Sequence, residues 1–317
     1  MWDIDTDREV AGLSLRDVLS PLNVEEFRRD VFAQNHCQLS GDRDRFTHLL
    51  SEEDLFQHVY SEAYDVRMLK VVRDDEDLPP RSFIEQGPSG RLRVKKPMLQ
   101  NLLKSGSALI VPHLQRYNKR LWDLCGLLGE LVAAEVSVNV YFGDAKSVGF
   151  DMHVDHHDVF VFQVSGSKLW AVAKPTCPSP LAVPEHMGPS PQEVIWEGEL
   201  KQGEVLYFPR GFWHGAKGTD EGATLHLSFG VQPCTGLHIV YWLAKKLMKS
   251  QEFRQELPRF EDPKILQEHS GDLSAWLSRV WDKELVMRFL EEHQKRLRAE
   301  RNAFETKVFK EKKDEIH

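Results

Sequence analysis

Apolar residues along the chain follow two different periods. Residues 13–19 and 24–32 place them three and four apart, the spacing of amphipathic helices, and Asn23 stands where it can cap the second. Ser51-Glu-Glu-Asp54 offers capping chemistry for a further short helix. Residues 66–72 read as a strand, residues 74–90, rich in Asp, Pro and Gly, as a loop, and 91–96 (RLRVKK) as a solvated basic loop. The helical pattern returns at Pro97, and Leu121, Leu124, Leu127, Leu128 and Leu131 line one face of a helix over 117–131. The period then drops to two. Residues 136–142 (VSVNVYF) alternate, and short apolar runs follow at 159–164, 169–173, 194–197, 205–208 and 224–231, divided by Gly, Pro or Ser. Short strands in such succession predict a barrel or sandwich. After Pro233 the strands stop. Residues 236–250, 272–280 and 283–309 read as helices, and the tail FKEKKDEIH reads as a solvated, fraying end.

With 41% hydrophobic and 28% charged residues in 317, the protein is long enough for one large domain and an appendage. A net charge of −8 argues against binding nucleic acid through bulk electrostatics and is compatible with a basic peptide as substrate. Cys37, Cys125, Cys177 and Cys234 form no CxxC pair, which excludes a zinc knuckle and a thioredoxin-type centre and suits a reducing compartment. The start, MWDIDTDREV, lacks the apolar run of a signal peptide, and the most apolar stretch, 125–142, carries Glu130 and Glu135. The expectation is a cytoplasmic protein without membrane attachment.

One constellation carries chemistry. His153 and Asp155 are two apart ahead of a strand, so on extended backbone they project to the same face and can grip one ion. A third ligand is available in Gly203-Glu-Val-Leu-Tyr-Phe-Pro-Arg-Gly-Phe-Trp-His214: a turn, a strand, a Pro/Gly corner, then a histidine. Two histidines and one carboxylate form the facial triad of non-haem Fe(II) oxygenases, with open positions for a bidentate 2-oxo acid and O2. A zinc site with three protein ligands and one water is the competing metal reading. Lys168 opens the strand after the Ser165-Gly-Ser turn. Buried there it needs an anion; at the hairpin end it can stay in water. The residues alone leave that open.

The segments Asn139-Val-Tyr141, His153-Val-Asp155-His-His-Asp158-Val-Phe160, Gln163, Gly166, Lys168 and Trp170, with Gly203 to His214, resemble the JmjC-type cupin-like oxygenases of the ribosomal-oxygenase class. The resemblance implies a double-stranded β-helix (cupin or jelly-roll) barrel that binds Fe(II) through His153, Asp155 and His214. It implies that Lys168 holds the distal carboxylate of 2-oxoglutarate, with Tyr141, Ser228 and Asn139 as further co-substrate residues. The implied activity is hydroxylation of a C–H bond on a side chain of a protein or peptide, with release of succinate and CO2. The implied organisation is a mixed N-terminal segment (1–96), a catalytic core (97–235) and a helical region (236–317) that makes a homodimer.

Other readings stay in view: the same chemistry on a free amino acid or small metabolite, N-methyl-lysine demethylation, and a zinc-dependent or metal-free cupin binding protein. Around the triad, His156 and His157 read as lining the cleft mouth. Asp158 reads as a structural acceptor, Trp213 as core packing and Arg210 as a solvated residue at the cleft rim.

Overall fold

The computed structural model describes residues 4–144, 150–182, 191, 193–219, 222–259 and 262–310. The charged tail beyond residue 310 lies outside them. The protein divides into two compact units, Met1–Pro233 and Cys234–His317.

The first unit opens on short helices whose starts are written locally. α1 (Leu15–Leu19), α2 (Val24–Glu26, continued by a wider turn over Phe27–Val31) and α3 (Glu52–Tyr60) each begin with a reciprocal cap. The pairs are Ser14 with Asp17, Asn23 with Glu26, and Ser51 with Asp54. Each cap satisfies N–H groups that the helix cannot, worth about 1 kcal/mol. α4 (Lys96–Lys104) and α5 (Lys119–Val132) follow; α5 is capped by Asn118 and buries the predicted leucine stripe.

The strands are β1 (Cys37–Leu39), β2 (Lys70–Arg73), β3 (Glu76–Asp77), β4 (Ile84–Gln86), β5 (Leu92–Val94), β6 (Ala108–Val111) and β7 (Val136–Gly143). They continue with β8 (Phe150–Val154), β9 (Asp158–Ser165), β10 (Ser167–Ala173), β11 (Val194–Lys201), β12 (Val205–Phe208), β13 (Trp213–Gly218) and β14 (Thr224–Val231). One sheet runs β1-β12-β9-β14-β7-β6-β2-β3 and a second runs β11-β10-β13-β8, while β4 and β5 form a separate hairpin. From β7 to β14 the backbone passes repeatedly between the two larger sheets, which is the double-stranded β-helix expected. Side-chain parity then separates two cores. Outward residues of the large sheet (Val138, Val140, Phe160, Phe162, Leu227, Phe229) pack with the N-terminal helices and α5. Inward residues (Val159, Val161, Leu206, Phe208) meet Trp170, Val172, Leu200 and Ala216 of the smaller sheet. β9 is buried on both faces, which is why its sequence runs apolar instead of alternating.

Several local expectations are corrected. Residues 66–68 form a tight turn, not a strand, because the Asp65 carboxylate accepts the Arg67 N–H and caps it. The expected loop over 74–90 contributes one strand, β3 or β4, to each of two hairpins. Asp74 and Asp75 adopt φ 51° and 63°, the left-handed pair that a two-residue hairpin turn between β2 and β3 needs. The basic 91–96 stretch includes β5, and its arginines make exposed ion pairs, Arg91 with Glu62 and Arg93 with Glu85. β1, β6, β8 and β13 are additions to the expected strands. β6 is a four-residue apolar run, too short to tell from a buried helix segment by period.

The second unit holds α6 (Gly236–Leu247), α7 (Gln251–Arg254), α8 (Pro263–Val280) and α9 (Leu285–Glu305). α8 begins at Pro263, earlier than expected, because Asp262 caps it and proline suits the first helical turn. α6 meets α9 where Glu292 accepts from Trp242 Nε1 (2.9 Å) and pairs with Lys246 (2.6 Å). Among the described residues no helix is long and apolar enough to cross a membrane.

Candidate metal centre

His153 is the penultimate residue of β8, Asp155 follows the strand end, and His214 is the second residue of β13. β8 and β13 pair antiparallel with His153 directly opposite His214. Sequence-distant ligands thus become cross-strand neighbours with rings 4.2 Å apart. One ligand atom from each of the three residues lies within 4.8 Å of the other two, and His214 Nε2 to Asp155 Oδ2 is 3.6 Å.

The backbone fixes which nitrogen of each ring is left free to hold an ion. His153 Nδ1 lies 2.9 Å from the Asp151 carbonyl oxygen and His214 Nδ1 lies 3.1 Å from that of Phe212. A carbonyl only accepts, so the proton of each neutral ring sits on Nδ1 and the Nε2 lone pair is left for a metal. Burial, then the neighbouring His214, pull the His153 imidazole below its ordinary value, which keeps the ring unprotonated. Burial opposes the charge on Asp155. The neighbouring His214, His157 and His153 nevertheless hold its carboxyl well below the usual range. Two neutral imidazoles and an ionised carboxylate are the donor set of a hard to borderline divalent ion.

The corner before His214 is tied to the loop after Asp155. The Asp155 carbonyl accepts from Gly211 N–H at 2.9 Å, and Asp158 Oδ1 accepts from Arg210 N–H at 3.0 Å. Gly211 has φ +82°, and a Cβ there would come within 2.8 Å of the Cys177 carbonyl oxygen, so only glycine turns this corner without strain. Asp158 Oδ2 accepts from the buried Tyr207 hydroxyl at 2.7 Å, and that hydroxyl accepts from Ala33 N–H at 2.8 Å. The expected acceptor role of Asp158 is therefore realised, joining three separate backbone segments. Trp213 is core packing as expected, its Nε1 donating to Thr176 at 3.1 Å. Arg210 is half-buried, with its guanidinium against the Pro180 carbonyl rather than free in water. His156 and His157 are half-buried neighbours of the triad, and His157 packs over Gly230.

The interior behind the triad is polar on one side. Lys168, on β10, is only 2% exposed, and among the described residues no carboxylate pairs with it. Burial alone pushes its ammonium down to about 8. Strand parity puts Asn139 and Tyr141 of β7 opposite Ser228 and His226 of β14, all on the inward face. Asn139 is engaged structurally as well, its Oδ1 accepting from His113 N–H at 3.3 Å. Tyr141 is pushed up to about 12 by burial and the Asp155 charge, so it stays a neutral hydroxyl. A lone buried ammonium is a costly feature for a fold to keep, and it fits a site completed by an anion.

The sequence pattern does not single out His226, although its place two before Ser228 in an alternating strand puts both on the inward face. Nor does it reveal the cavity of about 440 Å³ lined by His153, Asp151, Asp75, Asp77 and Lys70. Asp151 is far in sequence from Asp75 and Asp77, and the hairpin turn that delivers Asp75 reads as loop.

Comparison with known proteins follows the same line. Residues 108–239 match the family model described as JmjC domain. The bifunctional lysine-specific demethylase and histidyl-hydroxylase NO66 of Dictyostelium discoideum is 25% identical over 305 residues, covering 88% of this chain and 56% of the relative. Ribosomal oxygenase 1 of Homo sapiens is 31% identical over 173 residues, covering 50% of this chain and 26% of the relative. The protein thus spans about half, or less, of the length of these relatives. The ribosomal oxygenase YcfD from Escherichia coli, solved in complex with cobalt and 2-oxoglutarate, matches with a TM-score of 0.56 at 17% identity. That match covers 86% of this chain and 71% of YcfD, and it shows a shared fold.

Proposed function

From the match of residues 108–239 to the JmjC domain, we propose that the protein is an Fe(II)- and 2-oxoglutarate-dependent dioxygenase that hydroxylates a C–H bond on a side chain of a protein or peptide. The observation that carries the reading is the pairing, inside one barrel, of the His153–Asp155–His214 cluster with the lone buried ammonium of Lys168. Fe(II) held there with 2-oxoglutarate supplies O2 activation coupled to decarboxylation, giving succinate and CO2. The protein's own tasks are then distinct. His153 and His214 present Nε2 lone pairs, Asp155 supplies the anionic ligand, and Lys168 seats the far carboxylate, with Tyr141, Asn139 and Ser228 around it. The apolar layer of Val159, Val161, Phe208 and Val172 keeps bulk water from the interior.

The test is anaerobic addition of Fe(II) and 2-oxoglutarate to the purified protein. A visible metal-to-ligand charge-transfer band is expected; its absence from folded protein would hand the site to zinc or to a binding role.

The substrate reading rests on the cavity beside His153. Asp75, Asp77 and Asp151 line it, with Lys70 paired to Asp77 at 3.3 Å. A mouth of this charge suits a cationic peptide. Asp75 holds a left-handed conformation, and backbone strain of that kind is kept where it serves a site. Asn tolerates that conformation, so Asp75→Asn removes the charge and leaves the turn. It is expected to raise KM for a basic peptide about fivefold, with kcat and the KM of a neutral peptide unchanged. Equal effects on both peptides in succinate-release assays would contradict the charge argument. Relatives are named both as histidyl-hydroxylase and as lysine-specific demethylase. Mass spectrometry of the product separates the two, since hydroxylation adds one oxygen and demethylation removes a methyl group.

The helical region is part of the same proposal, as the dimerisation element. Leu237, Val240, Tyr241 and Met248 form a stripe on α6 and just beyond it, and they are 42%, 46%, 61% and 65% exposed. Apolar stripes this open usually meet a partner surface. The intact protein is expected to be a dimer by light scattering, and Tyr241→Asp with Met248→Asp a monomer; a monomeric parent or a dimeric double variant would refute this. Four free cysteines suit a cytoplasmic place of action.

A further inference from the structure

The barrel interior around Lys168 holds more hydrogen-bonding capacity than its residues use. Gln163, Trp170 and His226 are 0%, 7% and 2% exposed. Gln163 Oε1, Trp170 Nε1 and His226 Nδ1 have no hydrogen-bond partner among the described residues. Such atoms are rare in folded proteins, because each has given up water and received nothing for it. Here they share one compartment. Gln163 is the direct cross-strand neighbour of His226. The His226 ring lies parallel to Tyr141, centroids 4.7 Å apart and planes within 5°, and edge-on to Trp170 at 5.6 Å. The Lys168 charge acts on the same imidazole.

The chemistry of these groups says what is missing. Lys168 Nζ and Trp170 Nε1 can only donate, and a neutral imidazole donates from one nitrogen. Three donors on the inward face of one buried barrel ask for an acceptor with several lone pairs, which is a carboxylate. Gln163 Oε1 can only accept and needs a donor instead. Its amide nitrogen is already committed to Ser165 O and Thr224 Oγ1, both at 2.8 Å.

We propose that His226 is a further co-substrate residue, donating an imidazole N–H to the distal carboxylate of 2-oxoglutarate alongside the Lys168 ammonium. This rests on the oxygenase reading above. Tyr141 and Trp170 hold the ring on two sides, so its orientation is set before the co-substrate arrives. Burial and the adjacent ammonium keep the imidazole neutral. A neutral ring donates a directional hydrogen bond without placing a second cation beside Lys168. Ammonium and imidazole then act differently: the first supplies charge, the second fixes the rotation of the carboxylate plane.

The experiment compares two 2-oxo acids by anaerobic titration of the Fe(II) charge-transfer band. One is 2-oxoglutarate; the other is 2-oxobutyrate, which chelates identically and lacks the distal carboxylate. His226→Phe keeps an aromatic ring against Tyr141 and removes the N–H, while His226→Gln restores a donor. The expected result is about tenfold to fiftyfold weaker 2-oxoglutarate binding in His226→Phe, with 2-oxobutyrate unchanged and His226→Gln recovering part of the loss. Unchanged 2-oxoglutarate affinity in the phenylalanine variant overturns the proposal. So does an equal loss for both acids, which marks a purely structural ring. A parent that gives no band with either acid fails the oxygenase reading itself and takes this proposal with it.

Discussion

Asp155→Ala is expected to abolish the Fe(II)–2-oxoglutarate band and to lower substrate-dependent succinate release roughly a thousandfold or more. The carboxylate is the only anionic ligand of the cluster, and it lies 3.6 Å from His214 Nε2. Without it, two neutral imidazoles remain, too few to hold a hard divalent ion at low concentration. The fold should survive. The structural link at this residue runs through its backbone carbonyl, which accepts from Gly211 N–H whatever the side group. The check is therefore twofold: metal content by equilibrium dialysis and thermal unfolding of the metal-free protein. Metal content equal to the parent's would show that the ion is held elsewhere.

Lys168→Met should separate co-substrate binding from metal binding. The variant keeps the triad and fills nearly the same volume, and it removes a buried ammonium that has no carboxylate partner among the described residues. A carboxylate entering that pocket would then find no counter-charge. The expected loss in 2-oxoglutarate affinity is on the order of a hundredfold to a thousandfold, while Fe(II) affinity changes little. Without ligand, the same substitution should stabilise the protein by about 1–3 kcal/mol, because an isolated buried charge is exchanged for an apolar side group. Lower stability together with parent-like 2-oxoglutarate affinity would mean that Lys168 is structural.

The same lysine sets a pH dependence. Its folded value is lowered from 10.5 to about 8 by burial. Between those two values the unfolded state keeps a proton that the folded one has lost, so stability of the unliganded protein rises with pH across that window. Co-substrate binding moves the other way, since the carboxylate needs the ammonium. Affinity should be flat below about 8 and about tenfold weaker one unit higher. Lys168→Arg should remove the fall, because a guanidinium stays charged.

Much of this is legible in the sequence, for identifiable reasons. Capping pairs such as Ser51 with Asp54 act within one helical turn, so composition shows them directly. The period-two and short apolar runs mark β7, β9, β12 and β14, since the direction of each side group is a property of the strand itself. The triad is legible because two of its members are two residues apart and the third follows a Pro/Gly corner. What stays hidden is non-local. β6, β8 and β13 are strands because partners in distant sequence pair with them, and β4 and β5 sit in stretches whose composition reads as loop. Asp75 reaches the cavity only through a two-residue turn whose strain no local propensity predicts.

By itself the sequence determined the capped helices, the strands with period two or short apolar runs, and the set of groups able to hold a metal, because these follow from local periodicity and residue chemistry. The tertiary structure decided whether those groups act together. Pairing of β8 with β13 puts His153 against His214, and closure of two sheets strips water from Lys168 and His226. Register and burial are collective properties of the folded protein. The same lysine and the same histidine would be ordinary solvated residues in any arrangement that left the barrel open.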